Sequence, residues 1–318
     1  MSARQHLLGI NNLSLEELHR HITNGEQMLE VLGRSIKKVP TLRGRSVINL
    51  FLEPSTRTRT SFELAAKRLS ADSINISESS SSVSKGETLL DTAKTLEAMA
   101  PDIIVLRHSS SGAPHFLANH LSHTSIINGG DGANEHPTQA LLDLLTIKQA
   151  LGTLENLKVA IIGDILHSRV ARSNLYALGL LGSEVRLIGP PGLVPSEFLQ
   201  AAANFKCNIS GIYHSLTSKS GSPLEDVDVI IVLRMQRERQ NGHLITSLSE
   251  YSKYFCLTEE IFRRYAKPET VLLHPGPVNR GIEVGSALID SANSLNNVQV
   301  KCGVALRMAL LLAFGIAQ

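Results

Sequence analysis

The run Ser55-Thr56-Arg57-Thr58-Arg59-Thr60-Ser61 gathers hydroxyls and guanidiniums in a pattern suited to an anion. Upstream, an apolar, β-prone stretch from Val47 to Leu52 stops at Pro54; downstream, Phe62, Leu64, Ala65, Ala66 and Leu69 suit a helix face. Strand, polar turn and helix start therefore follow one another. The first N–H groups of a helix lack internal partners and carry the positive end of its dipole, so a phosphate placed there collects several donors. Ser55, Thr56 and Thr58 add hydroxyl donors, and Arg57 adds a planar fork for two phosphate oxygens. A lone Ser-Thr-Arg is more often an ordinary helix cap followed by exposed arginines. The density of the whole run favours the anion site.

Two further segments carry matching chemistry. Asp102 to Leu106 reads as a strand and delivers Arg107 at its carboxyl end, the end where open α/β sheets bind ligands. Thr124 to Asn128 reads as the next strand, with Gly129-Gly130-Asp131-Gly132 expected as a flexible stretch that lets backbone approach a ligand. His136-Pro137-Thr138-Gln139 then places His136 at a helix N-terminus, because proline is tolerated in the first turn. The dipole there disfavours imidazolium. A neutral ring can donate one hydrogen bond to a carbonyl oxygen while Gln139 bonds an amide.

The elements that must position these groups suggest an α/β protein. With 318 residues the chain is long for one hydrophobic core, so two domains are expected. Leu13-Ser14-Leu15-Glu16-Glu17 has the form of a capping box opening a helix to about Gly33. A short strand is expected at Ser73 to Ile76, a helix at about Thr88 to Met99, and a helix from Pro137 to Ala150. A second α/β series starts with Leu157 to Ile162 and continues at Glu184 to Ile188, Val227 to Leu233 and Val271 to Leu273. The expected fold is two doubly wound domains, 1–150 and 151–294, each with a mainly parallel sheet flanked by helices, joined by interdomain helices. A final apolar helix, 295–318, is expected to return to the first domain.

Composition excludes other classes. The chain is 42% apolar and 19% charged, as ordinary globular proteins are, and a net charge of +2 gives no bulk reason for nucleic acid or membrane partners. Cys207, Cys256 and Cys302 are scattered, which argues against a disulfide framework and a zinc site, and no other metal or cofactor constellation is visible. Reduced thiols in a cytoplasmic enzyme are expected. No signal peptide is apparent, and Gly303 to Ala317 is short for a membrane span and holds Arg307. Gly163-Asp164 lacks the G-x-G-x-x-G spacing of a dinucleotide site.

The S-T-R-T-R run together with H-P-T-Q resembles the carbamoyl-phosphate signature of the transcarbamylases, the aspartate/ornithine family, and the resemblance covers essentially the full length. It implies that Ser55, Thr56, Arg57, Thr58 and Arg107 bind phosphate, with Thr58, Arg107 and His136 on the carbonyl and Gln139 on the amide. It implies that the polar stretch from Ser77 to Lys85 is a loop lent to a neighbouring subunit of a homotrimer, with Ser81 and Lys85 entering that neighbour's site. Four serines from Ser79 to Ser82 leave the serine register open. Arg169 matches the arginine that grips an α-carboxylate. Arg234-Met235-Gln236 matches R-x-Q, and Arg234 and Gln236, two apart on an extended chain, face one side. His274-Pro275-Gly276-Pro277 lacks the cysteine of the ornithine branch and keeps the H-P-x-P of the aspartate branch, which implies substrate contacts at Gly276 and Pro277.

The activity so implied is transfer of a carbamoyl group from carbamoyl phosphate to L-aspartate, a step towards pyrimidines, with no cofactor and no covalent nucleophile. Ornithine or another amino acid as acceptor, and a non-catalytic phosphometabolite-binding homologue, are the alternatives. A regulatory or dihydroorotase-like partner is left open by these residues.

Overall fold

The computed structural model describes residues 5–77, 86–218, 221–235 and 247–316. The chain forms two units, Met1–Leu145 with Val300–Gln318, and Thr146–Gln299. Both divisions fall inside helices that carry the chain from one unit to the other, so the expected boundary at 150/151 lies at the end of the first such helix.

The first unit runs α1 (Leu15–Gly33), β1 (Ser46–Phe51), α2 (Thr56–Arg68), β2 (Asp72–Ser77), α3 (Leu89–Glu97), β3 (Ile103–His108), α4 (Ala113–Ala118), β4 (Ser125–Asp131) and α5 (Pro137–Leu151). The α1 capping box is formed: Glu17 N donates to Ser14 Oγ at 3.1 Å and Ser14 N to Glu17 Oε2 at 2.9 Å. Among the described residues the sheet is four-stranded and parallel, in the order β2-β1-β3-β4. The chain leaves β1 towards one edge and β3 towards the other. A crevice therefore opens beyond the carboxyl ends of β1 and β3, the switch point where open sheets take ligands. Ile48, Leu50, Ile104, Leu106 and Ile126 are buried beneath it, and Phe62, Ala65 and Ala66 seat α2 with no exposure. Burying Phe62 alone contributes about 2 to 3 kcal/mol.

The glycine stretch after Asn128 differs from expectation. β4 runs on through Gly129 and Gly130 to Asp131 and is buried throughout. A Cβ on Gly132 would lie 2.5 Å from Ser111 Oγ and 2.8 Å from the Ser109 carbonyl, so that glycine admits the chain's own 109–111 turn.

The second unit runs β5 (Lys158–Ile162), α6 (Arg169–Leu180), β6 (Glu184–Ile188), α7 (Glu197–Phe205), β7 (Asn208–Tyr213), β8 (Val229–Val232), α8 (Leu248–Phe255), α9 (Glu259–Tyr265), β9 (Val271–Leu273) and α10 (Ser286–Ile289). Its parallel sheet has the order β7-β6-β5-β8-β9, with the switch point between β5 and β8. Sequence patterning misses β7, a partly exposed edge strand interrupted by Gly211.

The last helix, α11 (Asn296–Ile316), is 21 residues, longer than the apolar stretch read from sequence and long and apolar enough to cross a bilayer by length and composition. Length therefore does not exclude a span, and burial describes the helix instead: Ala305, Leu306, Met308 and Leu310 have no exposure. Its Ser125–Phe314 contact, hydroxyl to carbonyl at 3.1 Å, lies within the first unit.

Candidate active site

In the first unit, α2 begins directly beyond the carboxyl end of β1. Ser55 is its N-cap in extended conformation, its hydroxyl makes no capping bond, and the first turn carries no acidic residue. The positive end of the helix is thus left without a carboxylate of its own. Thr56 and Arg57 are exposed, Ser55 is half-buried and Thr58 is buried. Phe51 pairs with Arg107 in the sheet, and Leu52 N donates to the Arg107 carbonyl at 2.9 Å, which places Arg107 beside the entry to α2.

The Arg107 guanidinium donates through Nη2 to Glu53 Oε1 at 2.9 Å and through Nη1 to the Gly129 carbonyl at 3.4 Å. His136 is 4% exposed and precedes α5, with Nδ1 3.4 Å from Thr138 Oγ1. Its carbonyl accepts from Gln139 N at 2.9 Å. Gln139 Nε2 donates to Asp143 Oδ1 at 2.9 Å, which orients the amide. Beneath this, Asp131 accepts from Asn128 Nδ2 at 2.8 Å, Gly112 N at 2.6 Å and Glu135 N at 3.1 Å, and Glu135 in turn accepts from Ile10 N at 2.8 Å. Ser55, Thr56, Arg57, Thr58, Arg107, His136 and Gln139 all stand on the loops and helix starts around this one unit's β1–β3–β4 edge.

In the second unit, Arg169 is the first residue of α6, just beyond β5, and is 4% exposed. Ser168 caps the helix, its Oγ accepting from Ala171 N at 3.1 Å. Arg234 follows β8 and is half-buried. The two arginines therefore flank the β5–β8 switch point. Gly276, with φ 61°, and Pro277, joined by a cis peptide, follow β9, and Gly276 N donates to His274 Nδ1 at 2.8 Å.

Glu283 ties the last two segments together. Fully buried, its carboxylate accepts from Met235 N at 2.9 Å, Asn279 N at 2.8 Å and Asn279 Nδ2 at 2.6 Å. Burial raises its pKa, while those hydrogen bonds and Arg234 oppose the rise. Sequence reading missed Glu283, Glu53 and Asp143. Each contacts a segment that does carry a signal, yet nothing local marks the residue itself.

Ser81, Lys85 and Gln236 lie outside the described residues. Among the described residues no group of three His, Cys, Asp or Glu is placed to hold a metal ion. Cys207, Cys256 and Cys302 are buried and form no disulfide, and burial pushes the Cys207 thiol up to about 12, so it stays protonated at neutral pH.

Known proteins resemble this chain in sequence and in fold. The model of the aspartate/ornithine carbamoyltransferase carbamoyl-P binding domain matches residues 5–149, and that of the Asp/Orn binding domain matches residues 155–314. The chain is 53% identical over 307 residues to the aspartate carbamoyltransferase catalytic subunit of Syntrophotalea carbinolica, covering 96% of this chain and 94% of that one. It is 51% identical over 311 residues to the corresponding subunit of Carboxydothermus hydrogenoformans, covering 98% and 96%. Among solved structures, Trypanosoma cruzi aspartate transcarbamoylase in complex with carbamoyl phosphate and aspartate superposes with a TM-score of 0.86 at 29% identity, over 98% of this chain and 97% of that one. The catalytic subunit of M. jannaschii aspartate transcarbamoylase gives a TM-score of 0.83 at 32% identity, over 97% of each chain.

Proposed function

The chain belongs to the aspartate/ornithine carbamoyltransferase family, and from that premise we propose that it transfers the carbamoyl group of carbamoyl phosphate to the α-amine of L-aspartate, giving N-carbamoyl-L-aspartate and phosphate. The observation that carries the choice of acceptor is the pair Arg169 and Arg234 at the switch point of the second sheet. Two guanidiniums ask for two carboxylates. Aspartate has both, whereas ornithine would bring an ammonium to a cation.

Carbamoyl phosphate is assigned to the start of α2, with Ser55, Thr56, Arg57 and Thr58 on phosphate oxygens and Arg107 shared between phosphate and carbonyl. His136 donates to the carbonyl oxygen as neutral imidazole. Gln139, whose Nε2 is engaged by Asp143, offers its amide oxygen to the carbamoyl N–H. The amine of aspartate attacks the carbonyl carbon, the bond from that carbon to the bridging oxygen breaks, and phosphate leaves with the electron pair and accepts the amine's proton. Arg107 and His136 stabilise the oxyanion, each such donor contributing roughly 3 to 4 kcal/mol, and orienting two bound reactants contributes roughly 7 to 11 kcal/mol. Arg169, Arg234 and Gln236 hold aspartate, and Gly276 and Pro277 border it.

The reading extends to a cyclic homotrimer in which Ser81 and Lys85 of one chain complete the neighbour's site. It rests on a polar stretch, 77–85, with no apolar residue but Val83 to pack on its own domain. A cytoplasmic enzyme of pyrimidine synthesis is the corresponding setting, one that suits three scattered cysteines without a disulfide framework. The deciding experiment is a carbamoylation assay with aspartate and ornithine in parallel. Product is expected from aspartate alone; comparable turnover of ornithine would overturn the assignment.

A further inference from the structure

Arg307 lies on the part of α11 that belongs to the first unit and is 5% exposed. Its Nη1 donates to Ser61 Oγ at 2.9 Å, and its guanidinium carbon stands 5.1 Å from the centroid of the Phe62 ring. Thr58, Ser61 and Phe62 are spaced i, i+3 and i+4, so Arg307 touches the face of α2 that also carries Thr58. Gly303, one turn earlier on α11, makes room: a Cβ there would lie 2.8 Å from Arg307 Nη1.

Among the described residues the charge makes no ion pair within 4 Å. Among the described residues its hydrogen bond goes to a neutral hydroxyl, and its Nε has no hydrogen-bond partner. Burial first, then the Arg107 cation, lower its pKa to about 10 against the opposing pull of Asp143, so the group stays protonated at neutral pH. A buried ion of this kind is commonly replaced by an apolar side chain of similar volume at no loss of stability. Folding alone therefore gives no reason for a charge at this position.

We propose that Arg307 is a positioning residue for the carbamoyl-phosphate site: it fixes the Thr58 face of α2 from behind and supplies a positive charge that a bound anion helps to neutralise. This rests on the assignment of that site to carbamoyl phosphate. In a dry, low-dielectric surround such a charge acts over a longer distance than it would in water. Phosphate binding offsets the repulsion between Arg307 and Arg107, so the two arginines and the anion are coupled.

The test uses full-length Arg307→Met and Arg307→Lys proteins, with inorganic phosphate binding measured by calorimetry and steady-state kinetics measured for both substrates. Arg307→Met is expected to melt at or above the wild-type temperature, to bind phosphate about tenfold or more weakly, and to raise the KM for carbamoyl phosphate while leaving that for aspartate alone. Arg307→Lys is expected to keep phosphate binding at pH 7 and to lose it at higher pH, because a buried amine deprotonates where a guanidinium does not. Wild-type phosphate affinity in the Met protein, or a matched fall in melting temperature and in affinity for both substrates, would overturn the proposal. Should the Met protein not fold, a Lys protein with the wild-type pH profile overturns it and the added alkaline limb supports it. A wild-type protein that neither binds phosphate nor carbamoylates aspartate would refute the site assignment itself.

Discussion

Glu53 Oε1 lies 2.9 Å from Arg107 Nη2, with both side chains largely buried. A carboxylate on the loop that leads into α2 thus holds the guanidinium assigned to phosphate and carbonyl. The carboxylate and the substrate's anion compete for one fork. Glu53→Gln keeps an acceptor for Arg107 but removes the competing charge, so inorganic phosphate is expected to bind roughly fivefold more tightly, about 1 kcal/mol. Calorimetric titration at fixed ionic strength checks this; weaker binding would mean that Glu53 holds Arg107 in place for the anion.

Arg57 tests guanidinium geometry at the exposed start of α2. Arg57→Lys retains the charge and loses the two-pronged fork, so kcat is expected to fall by about a hundredfold or more with the melting temperature unchanged. Turnover near wild type in a folded lysine protein removes Arg57 from the catalytic set.

The shared-site trimer is tested by mixing. Arg57→Ala and Lys85→Ala proteins, each nearly inactive, damage opposite sides of the proposed interface. After dissociation and reassembly in equal amounts, each site draws its two sides independently, and activity is expected to rise to about a quarter of wild type. Reassembled oligomers that stay inactive would show that each chain builds its own site.

Acid sensitivity should trace to His21, buried on α1 and stacked on Phe314 with ring centroids 5.8 Å apart. Burial, with a smaller push from Arg20 and against the pull of Glu17, lowers its pKa from 6.5 to about 4. The unfolded chain therefore takes up this proton first as pH falls. The stabilisation from a neutral His21 is whole above pH 6.5 and is lost between about 6.5 and 4, amounting to about 3 kcal/mol. His21→Phe keeps the stacking and removes the titration, so its melting temperature is expected to fall less steeply than wild type across that window. Parallel slopes for the two proteins would exclude His21 as the source.

How far the sequence reaches is visible residue by residue. The hydroxyl-arginine run after β1, His136 before a proline-started helix, and the Ser14–Glu17 box are legible because helix starts are local: the donors, cap and proline lie within a few residues of one another. The strands β6 and β9 are legible for the same reason: β9 is a short buried apolar run, and β6 alternates half-buried Glu184 and Arg186 with buried Val185 and Leu187. Family resemblance then supplied roles for Arg169, Arg234 and Gly276, which no local pattern assigns. Glu53 and Arg107 are 54 residues apart, Met235 and Glu283 are 48 apart, and Ser61 and Arg307 are 246 apart. Which of many glutamates or arginines closes such a pair depends on strand order and on how a returning helix packs. Periodicity records which face of an element is buried, whereas the partner across the core is chosen only when the elements come together.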